Sequence, residues 1–463
     1  MLIVFLLLYL LLNVLIGVWA SRRVKNTSDY LLAGRKLSFP VATAVVFSTW
    51  FGSETILGAS SEFAQHGVLG IIEDPFGAAL CLILVGLFFA RKLYRFNLLT
   101  FGDFYKVCYN RQTELLASFF LVISYFGWIA AQLVALGIIF NLTTGISLTA
   151  GTLLGFAVVV GYTYMGGMIS VSVTDFMQTI VIVLGLIFIT WRFTNQIPVS
   201  QVLATLPADF FRVTPASNTG AVSWLNYFAL WITIGLGSIP QQDVFQRVMA
   251  AKSEKIAVAS SLFAGIMYLT IGLLPLVLAL YARALQPELM QSDTQLLLPN
   301  LILMHTPEWV KILFFGALVS AIMSTASGAI LAPAAILSEN IFRPFYTQIT
   351  DKKLLWLSRM SVLLAAGVSL VMALMRSNIY ELVSESSALS LVSLFVPLVA
   401  GIYLPRTRPG AAMASMLAGM GVWLLAQAVN TTINPLLYGL LASIVGLILG
   451  QIFILTTTSV PAK

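Results

Sequence analysis

Charge is what this sequence has least of. Only 9% of its 463 residues are Asp, Glu, Lys or Arg, against roughly a quarter in an ordinary soluble domain. With 59% hydrophobic residues, a soluble chain of this size could not cover its core with polar surface. That excludes a cytosolic enzyme, a secreted scaffold and a disordered protein. Cys81 and Cys108 are too few and too apolar in context for a disulfide framework. Two histidines, His66 and His305, leave a transition-metal centre without ligands. Low-complexity tracts and tandem repeats are missing, and the longest loops, 194–220 and 283–308, are too short for a soluble domain.

What is present is apolar length. A spanning helix needs about 20 mostly apolar residues, and thirteen such stretches occur: roughly 1–20, 40–63, 72–90, 113–141, 147–165, 174–193, 221–247, 255–282, 309–342, 355–376, 379–403, 410–430 and 434–456. They are called spans 1 to 13 below. Span 1 lacks the basic leader and small-residue cleavage site of a signal peptide, so it is read as a true helix. The chain is thus an all-α polytopic membrane protein and a single membrane domain over 1–463. Its basic residues cluster after spans 1, 3, 7, 9 and 11, with Lys463 at the end; of the 25 Lys and Arg only Arg192, Arg212, Arg283, Lys311 and Arg376 fall on the opposite side. By the positive-inside rule the N-terminus is outside and the C-terminus cytoplasmic, in the cell (inner) membrane. The +7 net charge therefore reflects topology, the partner being a lipid bilayer and not nucleic acid.

Two spans are interrupted by polar and glycine-rich residues, which are costly in lipid and therefore informative. Span 2 carries Ser48-Thr49-Trp50-Phe51-Gly52-Ser53-Glu54-Thr55, and span 7 carries Gly235-Leu236-Gly237-Ser238-Ile239-Pro240-Gln241-Gln242-Asp243. If spans 2–6 form one unit (about 39–195) and spans 7–11 another (about 221–403), each interruption lies in the first helix of its unit. Span 2 runs outward and span 7 inward, so the units are inverted. Interrupted helices at matching places in inverted halves point to the midplane site of a secondary transporter. The plainer reading is that the glycines only let helices pack closely; Glu54, Gln241, Gln242 and Asp243 beside them favour a solute or ion pathway.

Four motifs carry a resemblance. Span 9 reads Gly316-Ala317-Leu318-Val319-Ser320-Ala321-Ile322-Met323-Ser324-Thr325-Ala326-Ser327-Gly328 and ends Ser338-Glu339-Asn340-Ile341-Phe342. The approach to span 6 reads Tyr162-Thr163-Tyr164-Met165-Gly166-Gly167, then Val173-Thr174-Asp175 and Gln178; span 7 ends Phe245-Gln246-Arg247. From about 28 to 403 the chain resembles the sodium:solute symporter family, and locally its choline-type members through Thr49-Trp50, Pro75-Phe76-Gly77 and Ile239-Pro240. The resemblance implies a LeuT-type five-plus-five inverted repeat with about 13 transmembrane helices, flanked by helices 1–20, 410–430 and 434–456. It also implies sodium-coupled symport of a small organic solute into the cell by alternating access.

Carried over by position, the sodium ligands would be the carbonyls of Ser48, Phe51 and Ala321 and the hydroxyls of Ser324 and Thr325. Taken alone, the span-9 hydroxyls could equally bond back to their own helix. In relatives with a second sodium, an aspartate at the place of Asp175 joins further span-9 hydroxyls. Ser327 matches one of them and Gly328 stands where the other would be. Asp175 is thus open between a second sodium, a release path and a helix cap.

The solute pocket is expected to involve Trp50, Glu54 and Thr55 on span 2, Asp74 on span 3, Trp128 on span 4, and Gln241 with Gln242 on span 7. Choline-type members hold a quaternary ammonium between aromatic faces. Trp50 and Trp128 fall at such positions, whereas Gln241 and Ala78 replace two further aromatics. Sugar carriers use a span-3 glutamate where Pro75 stands. With acids, amides and no interior basic residue, the pocket leans to an amine-bearing or cationic solute, choline- or betaine-like or an amino acid; a carboxylate or sugar-like solute is the alternative. Trp128 as packing and Asp74 as a helix cap remain open. A channel fits the broken repeat poorly, a sensor would need a soluble output region that is not expected here, and an enzyme would need a nucleophile with its base.

Overall fold

The structure, a computed structural model, describes residues 1–457 apart from Asn218, Ser292 and Thr347; Lys463, counted above with the basic loops, lies outside the described residues. Among the described residues, ten helices are long and apolar enough to cross a membrane, or eleven if the bent pair Ala221–Gly237 and Gln242–Ala250 is one span. Two of them run double. Glu54–Phe96 has 43 residues and Leu148–Gln196 has 49, whereas at about 1.5 Å per residue some 20 residues cross the hydrocarbon.

Both fold back. Gly67, at φ +64°, turns the chain between spans 2 and 3, so that Thr55 Oγ1 donates to Asp74 Oδ2 at 2.8 Å. Gly167, at φ +51° and ψ −146°, turns it between spans 5 and 6. Tyr162 before that turn donates to the Met323 carbonyl at 2.6 Å, and Asp175 after it accepts from Ser324 at 2.6 Å. A straight helix would hold Tyr162 and Asp175 about 20 Å apart. With Phe39–Trp50 leading into span 2, thirteen passes result, as the hydropathy pattern predicts.

The start of span 2 lies beside the end of span 7. Leu37, just before span 2, pairs with the residues just after span 7: its N–H donates to the Ala250 carbonyl at 3.1 Å, and its carbonyl accepts from Lys252 at 2.9 Å. Span 9 lies at the centre, buried from Phe314 to Ile336, against spans 2, 4, 5, 6 and 10. Span 1 packs on spans 5, 6 and 9, whereas spans 12 and 13 pair with each other and touch spans 7 and 11. Outward-facing leucines such as Leu7, Leu8 and Leu441 are more than half exposed, as lipid contact requires.

A polar break in the middle of span 2

The first half of span 2 ends at Trp50; Phe51 follows at φ −87° and ψ 78°, outside helical values. Backbone groups released there must find partners other than lipid, and three neighbouring spans supply them. Thr325 Oγ1 donates to the Ser48 carbonyl at 3.2 Å. Tyr268 Oη donates to the Trp50 carbonyl at 2.9 Å. Gln132 Oε1 accepts from the Ser53 N–H at 3.0 Å. Gly52 is needed because a Cβ there would come within 2.6 Å of Thr325 Oγ1 and 2.7 Å of Glu54 Oε2. Span 7 breaks over 238–241 with a bend of 45°; Ser390 donates to the freed Gly237 carbonyl, and Ser238 and Ser387 share a hydrogen bond of 3.0 Å.

Between the breaks lies a small cavity of about 20 Å³, room for about one water. Trp50, Glu54, Asp74, Trp128, Ser238 and Gln241 line it, with Tyr268 and the span-11 residues Val383, Ser386 and Ser387. Glu54 accepts from Trp128 Nε1 at 2.9 Å and from Gln132 Nε2 at 2.7 Å. Asp74 accepts Thr55 on Oδ2, while its buried Oδ1 has no partner. Trp50 and Trp128 meet edge to face with centroids 6.4 Å apart. Five of the seven expected pocket residues thus converge.

Two do not line the cavity. Thr55 sits behind it, bonded to Asp74 and Tyr268. Gln242 turns away, its Oε1 accepting from the Phe101 N–H at 2.6 Å at the start of the helix Phe101–Cys108. Asp74 is only 1% exposed, which removes the reading of it as a cap at the outer interface. Trp128 is more than packing, because its N–H holds a carboxylate.

The expectation of no interior basic residue is corrected. Arg247, counted with the loop charges, is 3% exposed and donates to Thr49 Oγ1 at 3.0 and 3.2 Å. Its position four residues after Asp243, on a short helix that dives back into the protein, places it inside. It lies outside the cavity lining. A side chain at Gly328 would collide with its guanidinium.

The predicted ion residues gather beside the span-2 break. Ser324 donates to Asp175 Oδ1, Thr325 reaches Ser48, and Ser327 bonds back to the Ser324 carbonyl at 2.9 Å. Ala321 is fully buried one turn earlier. Ser48 Oγ and Asp175 Oδ2 are buried without partners, so the donor set has spare oxygens of the kind a hard cation takes. Sequence reasoning passed over Tyr268, Gln132, Tyr125 and the span-11 serines. Gln132 was detectable as a lone amide in an apolar run. Asp243, which accepts from Trp50 Nε1 at 2.8 Å and from Tyr125, was noticed only as part of the break. Tyr268 and the serines carry no signal of their own.

A model of the sodium:solute symporter family matches residues 30–419. The chain belongs to that family. This symporter is 27% identical to the high-affinity choline transporter 1 of Torpedo marmorata, over 90% of this chain and 75% of the relative. It is 26% identical to the high-affinity proline transporter PutP of Bacillus subtilis, over 97% and 96%. A Na+-coupled sialic acid symporter solved in a substrate-bound outward-open state superimposes with a TM-score of 0.84 at 20% identity, covering 100% of this chain and 98% of the other; this shows the shared LeuT-type fold. The symporter is a sodium-coupled carrier of a small organic solute and not an enzyme, and the inverted repeat explains why its two breaks face each other.

Proposed function

We propose that the symporter carries an amine-bearing or cationic solute into the cell with one sodium ion per cycle, by alternating access. The observation that carries this reading is the cavity itself. Two carboxylates, Glu54 and Asp74, line it with three aromatic rings and no basic side chain, and Asp74 Oδ1 awaits a donor. Isolated charges are not stable in such surroundings; a cation between them with rings around it satisfies both Coulomb and cation–π attraction. The choline transporter relatives agree with a cation, and the proline transporter with an amine.

Sodium is assigned to the carbonyls of Ser48, Phe51 and Ala321 and the hydroxyls of Ser324 and Thr325, with Asp175 and Ser327 on its path to the cytoplasm. The Arg247 guanidinium beside Gly328 disfavours a second cation there. The N-terminus is placed outside and the C-terminus in the cytoplasm, with repeats at about 39–195 and 221–403. A solute fits the cavity only after the walls part, which supports an opening step on each side.

Proteoliposomes with an inward sodium gradient test the reading. Choline, betaine, proline, a neutral sugar and a plain carboxylate compete for uptake of a radiolabelled hit. Competition by amine-bearing compounds alone is expected. A winning carboxylate or sugar overturns the electrostatic reading and leaves the family assignment standing.

A further inference from the structure

A second cavity, far from the solute site, has a different chemistry. It is a cleft of about 630 Å³ between the end of span 1, the short helix Thr27–Leu32, the start of span 2 and the start of span 6, within the size range of small-molecule sites. Arg22, Arg23, Lys25 and Lys36 line it, and Asp29 is the one acid among the lining residues. Some basic residues on this face are neutralised: Arg91 and Arg95 pair with Glu254, and Arg343 with Glu339. Among the described residues, none of the four cleft cations stands within ion-pair distance of a carboxylate. The cleft therefore keeps a net positive charge.

The rest of its lining is mostly apolar. Val41, Ile169, Val173, Phe176 and Met177 line the cleft together with Ala33, Leu37 and the single hydroxyl of Ser172, and Phe176 and Met177 remain 37% and 58% exposed. Cations beside exposed hydrocarbon, at the end of membrane helices, match a ligand with an anionic head and an acyl chain. We propose that this cleft binds an anionic phospholipid of the phosphatidylglycerol type, its phosphate between Arg22 and Lys36 and an acyl chain along Phe176 and Met177. Charge complementarity selects an anion. The apolar lining, useless to a free phosphate, selects a lipid.

Purified symporter in detergent is titrated with dioleoyl phosphatidylglycerol and, separately, dioleoyl phosphatidylcholine, and bound lipid is read by native mass spectrometry. Preferential retention of the anionic lipid is expected. Arg22→Gln with Lys36→Gln should weaken it about thirtyfold, the worth of two juxtamembrane cations. Asp29→Asn should strengthen it several-fold, a gain that misfolding cannot produce. Equal retention of both lipids, an unchanged double variant, or displacement of the lipid by inorganic phosphate would each overturn the proposal.

Discussion

The breaks in spans 2 and 7 answer to the same physical demand with different partners. At span 2 the released groups are met by Thr325, Tyr268 and Gln132 from three separate spans. At span 7 the freed Gly237 carbonyl is met by Ser390 of span 11 and the Asp243 N–H by Tyr125 of span 4, while Ser387 bonds the Ser238 hydroxyl. Hydroxyls from several helices can be redirected to an ion or a solute as those helices move. Ser387 and Ser390, on a single helix, tie span 7 to span 11. The acids divide in the same way. Asp243, in the second half of span 7, is fully engaged by Trp50 and Tyr125, whereas Asp74 beside span 2 keeps an unpartnered oxygen. On the proposed function, span 2 is the binding break and span 7 the anchored one.

That contrast can be broken by substitution. The largest effect is expected from Asp74→Asn, which removes the open carboxylate. Affinity for the cationic solute should fall about thirtyfold or more, as for a buried charge losing its partner, while sodium binding without solute holds. Calorimetry on the purified protein reads both. Next, Thr325→Val should raise the sodium concentration for half-maximal uptake about tenfold, the worth of about one ligand bond; unchanged sodium dependence would move the ion elsewhere. At the anchored break, Ser390→Ala should cost about 1 kcal/mol of stability by exposing the Gly237 carbonyl, read by thermal unfolding, with sodium affinity unaltered. Equal losses of sodium affinity at Thr325 and Ser390 would erase the distinction. The smallest change concerns stoichiometry: the Hill coefficient for sodium should be about one and stay there in Asp175→Asn. A wild-type coefficient near two that falls in this variant would place a second ion at Asp175.

Much of this was legible from the chain alone. The fold-backs at Gly67 and Gly167 were readable because a bilayer limits the length of a pass, and both breaks were readable because polar residues in a span are costly. Glu54, Asp74 and Gln241, which line the cavity, were legible for the same reason, and Trp50 and Trp128 from the choline-type resemblance. Gln242 misled because adjacency in sequence says nothing of direction around a helix break. Arg247 misled because a basic residue near a span end resembles a loop charge until the chain is seen to turn inward.

Composition and hydropathy by themselves determined a thirteen-pass α-helical protein, two interrupted spans and a basic face, because each depends on a local run of residues meeting lipid or water. Which oxygens lie together depended on the tertiary structure. Trp128 meets Glu54 across 74 positions of chain, Asp175 meets Ser324 across 149, and Tyr268 meets Trp50 across 218. Contacts of that separation arise only when helices pack, and no local preference encodes them. The same holds for Asp74: its charge was written in the sequence, but that its second oxygen would be buried without a partner was decided by the helices packed around it.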